Sequence, residues 1–377
     1  MLRGAPLRVR YLASGCLMLV VQTIFGGYSL LVHSALSGSN TLHPLVFALL
    51  RDTLGTAALL IALRIEQARA AAAAAAADGA SAAKLPLNDS GEEAGAPPPP
   101  AYLPTRADAF QLLLCGVCGV WCSQAGSALT LKYLDPVTMS LLQPLLPLVT
   151  ALGSLACGYE VWALAARSTW LKAGGLAVSV GGACFVGYAS AAAARAPGAP
   201  PAAAASLALG LAFCGVQLVG GGLYCLCQAP LLAAGRTPLW VAAWGYAAGW
   251  CLLALCTASG ATGAGDWAWT RAALGAAVYS GLLSSAFNYG VMATVVDLAG
   301  PLFQAAFFPL MPVATVVLAW AASGELPSAA QGGGGAACAL GLALFVAGKF
   351  REAAERRTGG EGEGARAALL AGDAEQQ

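Results

Sequence analysis

The residues able to do chemistry in this chain are few, and most lie inside apolar runs. Arg51 sits about two turns into a run that opens at Pro44, with Asp52 beside it. A charge at that depth costs at least about 2.5–3.5 kcal/mol on insertion scales, so it must face protein or water and have a partner. Adjacent helical residues point about 100° apart, so Arg51 and Asp52 are expected not to pair with each other. That leaves Arg51 two roles: a gate or anion contact, or a structural tie to a neighbouring helix end. Gln22, Gln124, Gln143, Gln217, Asn288 and Gln304 interrupt other apolar runs. An amide in lipid needs partners, so these six are expected to face the interior of a helix bundle. There they either touch a substrate or make interhelical hydrogen bonds worth about 0.6 kcal/mol on average. Trp121, Tyr289, Phe307 and Phe308 are candidates for aromatic walls, or for plain packing.

Prolines make a second set, and they occur twice. Pro136, Pro144 and Pro147 precede an apolar run ending at Glu160; Pro301, Pro309 and Pro312 precede one ending at Glu325, every position shifted by 165. A proline inside a helix removes a hydrogen bond, so Pro144, Pro147, Pro309 and Pro312 are expected to leave carbonyls unpaired along a cavity wall. Glu160 and Glu325 fall at helix ends on opposite membrane faces, as gates or structural anchors.

The elements that must position these residues follow from composition. Of 377 residues 58 % are hydrophobic and 10 % charged, with mean hydropathy +0.71; soluble domains carry about 25 % charged residues. Ten apolar segments can be marked, near 11–34, 43–64, 108–131, 136–157, 170–190, 207–233, 238–258, 271–294, 301–322 and 332–350. None alternates with period two, so the reading is all-α with ten transmembrane helices. Residues 65–106 form a low-complexity insert, in which the Ala70–Ala77 tract extends helix 2 by a turn or two. Residues 191–205 are a linker, and 351–377 read as a disordered tail.

Further doublings join the halves. Val21-Gln22 and Gly26-Gly27 recur as Val216-Gln217 and Gly221-Gly222, Pro44-Leu45 and Gly55 as Pro238-Leu239 and Gly249, and Gly174-Gly175 and Gly181 as Gly334-Gly335 and Gly341. The domains are therefore a first repeat, 1–190, and a second, 206–350. Five helices per repeat is an odd number, so the second enters from the opposite face and the repeats are inverted, a plan common among transporters. Fifteen of the 19 Lys and Arg fall on one side and three on the other, with Arg51 inside helix 2. This bias puts both termini, the insert and the tail in the cytosol. About ten residues precede the first apolar run, which argues for an uncleaved first helix and against a transit peptide. The expected location is the plasma or vacuolar membrane.

His43-Pro44-Leu45-Val46-Phe47 followed by Arg51, the stretch Ala128 to Thr138 with Lys132-Tyr133-Leu134-Asp135-Pro136, Gly300-Pro301 opening helix 9 and Gly324-Glu325 closing it resemble the EamA-type carriers of the drug/metabolite transporter superfamily. Within it the sequence is most similar to the plant Walls-Are-Thin-related group. The resemblance covers nearly all of the chain except 65–106 and the tail. The insert and Gln143-Pro144-x-x-Pro147 depart from the family pattern.

The expected function is transport of small organic metabolites by alternating access between the repeats. The alternative is a non-transporting scaffold or receptor of the same fold. The expected partners are a small-molecule substrate and the lipid bilayer, with a homodimer as an open assembly state. An enzyme is not expected, since no Asp pair or His cluster is available to activate water and no catalytic residue stands out. No basic stripe with interleaved aromatics points to nucleic acid. No cofactor or metal is expected: Cys115-x-x-Cys118 lacks a second half, the only histidines are His33 and His43, and the twelve cysteines read as small packing residues. The Gly-Gly pairs lack the strand–helix context of a phosphate-binding loop.

Overall fold

A computed structural model describes residues 6–36, 42–82, 103–159, 166–194, 201–263, 267, 269–324 and 328–374. Glu160, Glu325 and the part of the insert between 83 and 102 lie outside the described residues. All regular structure among those described is helical. The long helices are α1 (Leu7–Leu36), α2 (Pro44–Ala82), α3 (Arg106–Tyr133), α4 (Pro136–Ala156), α5 (Arg167–Ala194), α6 (Pro201–Cys227), α7 (Pro238–Cys256), α8 (Arg271–Ala299), α9 (Pro301–Ala322) and α10 (Ala329–Ala374). Among the described residues nine of them are long and apolar enough to cross a membrane, consistent with a multi-pass membrane protein. The remaining expected span, near 170–190, lies in α5.

Two helices run further than composition suggests. The alanine tract carries α2 on to Ala82 rather than for a turn or two, and α10 continues to Ala374 through the stretch that reads as a disordered tail. Alanine is the strongest helix former, which favours continuation of α2 over a break.

The surface is apolar, and polar side chains are gathered inside among the buried apolar ones. Leu12, Ile61, Phe110, Leu152 and Leu255 are 61–69 % exposed, while Arg51, Asp52, Gln22, Gln143 and Gln304 are buried. In water this distribution would be penalised; in lipid it is what the chain requires. Helices α1, α3, α4, α6, α8 and α9 form the central group. The α2–α7 pair flanks it against α3 and α8, and the α5–α10 pair covers it against α4 and α9.

The central helices are interrupted, not straight. α3 is π-helical over Val117–Ala125 and α8 over Ser280–Phe287, a wider winding that recurs at functional sites. α4 narrows to a 3-10 turn at Gln143–Leu145, and α9 does so at Phe308–Leu310. The entries to α4 and α9 differ. Asp135 caps α4, its Oδ1 accepting from the Thr138 backbone N–H at 2.9 Å. At the corresponding place before α9, Gly300 makes the turn with φ of 90°, a conformation that favours glycine.

Glycines set how closely the flanking pairs approach. A Cβ on Gly116 of α3 would stand 2.5 Å from the backbone nitrogen of Gly249 in α7, and one on Gly55 of α2 would stand 2.7 Å from the Ser285 Cβ in α8. Backbone cannot yield as a flexible side chain can, so Gly116→Ala is expected to lose about 1–3 kcal/mol of stability. Gly174→Ala, with nothing within 4 Å of the added carbon, should hold stability or gain up to about 1 kcal/mol. Thermal unfolding in detergent distinguishes the two; equal behaviour would mean that α3 and α7 are not in close contact.

Candidate functional site

Arg51 and Asp52 form the most buried ion pair among the described residues, both side chains 0 % exposed. The guanidinium grips the neighbouring carboxylate with two bonds, Nε to Oδ1 at 2.9 Å and Nη2 to Oδ2 at 3.2 Å. The expectation that sequence neighbours cannot pair is thus overturned. The Arg51 stem is long enough to curl back over its own helix, and among the described residues Asp52 is the carboxylate its guanidinium meets. A planar fork facing a carboxylate is also the strongest hydrogen-bonded geometry open to it.

Neighbouring helices complete the shell. Arg51 donates Nη1 to the Tyr28 hydroxyl of α1 at 2.8 Å, and its guanidinium carbon lies 5.4 Å from the Tyr28 ring centre. Tyr246 of α7 and Ser285 of α8 donate to Asp52 Oδ1 at 3.3 and 3.4 Å, and Ser127 of α3 donates to the Tyr28 oxygen at 3.2 Å. The pair therefore joins α1, α2, α7 and α8, with α3 held through Tyr28.

Tyr28 also borders a small central cavity with about 40 Å³ of free volume. Its walls come from α1, α3, α4, α6, α8 and α9, and from none of the flanking helices. Of the residues expected at a substrate cavity, Gln124, Gln143 and Gln217 line it. Gln143 and Gln217 face each other amide to amide, each nitrogen donating to the other's oxygen at 3.2 and 3.3 Å. Gln124 donates to the Tyr289 hydroxyl across the bundle.

The others are placed elsewhere. Arg51 stands behind Tyr28, off the cavity surface. Asn288 is fully buried, donating to the Val21 carbonyl at 3.2 Å. Gln22 and Gln304 are buried with no hydrogen-bond partner for either amide atom. Pro144, Pro147, Pro309 and Pro312 do not line the cavity. The carbonyls they were expected to free are mostly taken up locally: Ser140 O accepts from Gln143 N, Gln143 O from Leu146 N and Phe308 O from Met311 N. Tight 3-10 turns repair what the prolines break. The wall residues are instead their neighbours, Gln143 and Leu146 on α4, Phe308 and Met311 on α9.

Of the aromatic candidates, Tyr289 and Phe308 reach the cavity, while Phe307 packs on Phe303 and Trp121 on a separate apolar cluster. Sequence reasoning missed Phe25, Tyr28 and Tyr224, and the methionines Met139, Met292 and Met311. Nothing in their types separates them from packing residues. Tyr28 alone carried a signal, since a buried arginine needs an acceptor and a phenol directly after Gly26-Gly27 can supply it.

Removing one member of a buried ion pair strands the other. Arg51→Met is expected to cost about 3–5 kcal/mol by leaving Asp52 unpaired. Adding Asp52→Leu should recover most of that loss, as read from unfolding midpoints of the single and double variants. A double variant no better than Arg51→Met would place the energy in the contact to Tyr28 instead.

No family model matches the chain. A solved structure, described only as the crystal structure of a protein, is similar to it with a TM-score of 0.52 and 19 % identity, over 92 % of this chain and 98 % of that one. A likeness at that identity concerns the fold alone.

Proposed function

We propose that this chain is a transporter of small organic metabolites, working by alternating access between two inverted five-helix repeats of the EamA type. The observation that carries the reading is the choice of helices around the cavity. Advancing each of α1, α3 and α4 by five gives α6, α8 and α9, so the wall is built from corresponding helices of both halves. The packing supports it too: α1 lies on α8 and α9 as α6 lies on α3 and α4, and α2 pairs with α7 as α5 does with α10. Gln124 and Tyr289, joined across the bundle, are themselves 165 apart in sequence. Inverted repeats meeting at a ligand site are the usual plan of secondary carriers.

Alternating access also accounts for the stranded amides. Gln22 is the repeat counterpart of Gln217, and Gln304 that of Met139; the counterparts line the cavity while Gln22 and Gln304 are sealed without partners. A buried amide without partners costs about 1–3 kcal/mol, a cost relieved if the opposite-facing state opens it to the cavity. The cation bias places both termini in the cytosol, and the plasma or vacuolar membrane is the proposed location. A homodimer is the proposed assembly state to test alongside.

Reconstituted protein should carry at least one member of a panel of amino acids, aromatic acids, purines and sugars into liposomes saturably. Absence of flux in either direction, with and without a pH gradient, would remove the carrier reading. Gln22→Leu and Gln304→Leu should each stabilise the fold by about 1 kcal/mol while slowing transport. A fall in stability would mean that these amides are satisfied where they lie.

A further inference from the structure

We infer that the cavity takes an uncharged, flat aromatic heterocycle whose edge carries carbonyl and N–H groups, and that it rejects carboxylates and zwitterionic amino acids. The inference rests on the carrier reading and adds a substrate class to it. Its first ground is charge. None of the cavity's lining residues is Asp, Glu, Lys, Arg or His. The nearest charges, Arg51 and Asp52, neutralise each other through two bonds and are closed to the cavity. A substrate carboxylate could win Arg51 only by displacing Asp52, leaving that carboxylate buried and unpaired. An ammonium group would meet the converse problem, since Asp52 is already engaged by Arg51, Tyr246 and Ser285 and is closed to the cavity.

The second ground is the polar chemistry that remains. The Gln143 and Gln217 amides use one N–H and one oxygen lone pair each in their mutual contact. Each keeps a second N–H and a second lone pair. On each side of the pair the free N–H of one amide lies beside the free lone pair of the other, a donor and an acceptor that the edge of a nucleobase-like ring can meet. Tyr28 adds a third polar group: its oxygen accepts from Arg51 and Ser127, which leaves its own proton for a ligand acceptor.

The third ground is shape. Phe25 of α1 stacks with Phe308 of α9, centres 6.2 Å apart, and Tyr224 of α6 lies 5.0 Å from Tyr289 of α8. Met139, Met292 and Met311 fill between them with polarizable thioethers that suit a ring face. The free volume of about 40 Å³ in this form holds only a few waters, too little for a nucleotide or an oligosaccharide.

The test compares three labelled probes on wild-type protein in phosphatidylcholine liposomes: hypoxanthine, indole-3-acetate and tryptophan. The expected result is saturable hypoxanthine uptake with kcat/KM at least tenfold above both others, and a rise in Tm of the detergent-solubilised protein with hypoxanthine alone. The paired variant Gln143→Leu with Gln217→Leu, which leaves neither amide stranded, should lose hypoxanthine uptake tenfold or more while keeping its Tm. Preferred uptake of indole-3-acetate or tryptophan would overturn the substrate class and leave the carrier reading standing. So would a paired variant that carries hypoxanthine as well as wild type. If none of the three moves or shifts Tm, the substrate class is overturned; the wider metabolite panel then decides separately whether the carrier reading survives.

Discussion

The bundle depends on an ionised pair sealed away from solvent. Arg51 and Asp52 have no water to fall back on, so every donor and acceptor they carry must be met by protein. The answer is drawn from four other helices: Tyr28 on α1, Ser127 on α3, Tyr246 on α7 and Ser285 on α8. Each contact is modest in energy, but together they specify how these helices sit, because a shift of any one strands a charge. Buried ionic groups of this kind are better explained by specificity than by net stability.

The same constraint shapes the cavity beside it. Tyr28 stands between the pair and the open space, and Tyr246 stands between it and Tyr289, so the pair meets the site through neutral phenols. The electrostatics of the wall are set by amides, hydroxyls and rings. Around this centre the glycine contacts let backbones approach closely, Gly116 on Gly249 and Gly55 on Ser285. Without a hydrophobic drive between helices in lipid, such approach is what holds them together. The interruptions follow suit: π-helical turns in α3 and α8 and 3-10 turns in α4 and α9 re-aim side chains without leaving backbone groups bare.

Much of the fold was legible in advance because it follows from local rules. Apolar run lengths located most helix ends to within a few residues, with α2 and α10 running well past theirs; Asp135-Pro136 announced the start of α4, and the doubled prolines marked where α4 and α9 are interrupted. The site was legible in part. Three of six amides line the cavity, while Gln22, Asn288 and Gln304 belong to the same helices yet turn into packed interior. An amide's type says that it must avoid lipid; it does not say whether it meets a cavity or a neighbouring helix.

What the sequence determined by itself is the helical class, the apolar exterior, the doubled pattern and the list of polar residues that must face inward. These depend on composition and spacing along one chain. Only the tertiary structure decided which polar groups meet. The pairing of Arg51 with Asp52 seemed barred by helix geometry at the Cα positions, but a flexible arginine stem is governed by the space and partners around its tip. The contact between Gln143 and Gln217 joins residues from different helices, and its distance is set by rigid-body packing. The prolines, prominent in the sequence, proved to act through the residues on either side, because a tightened turn satisfies most of the carbonyls a proline would otherwise leave exposed.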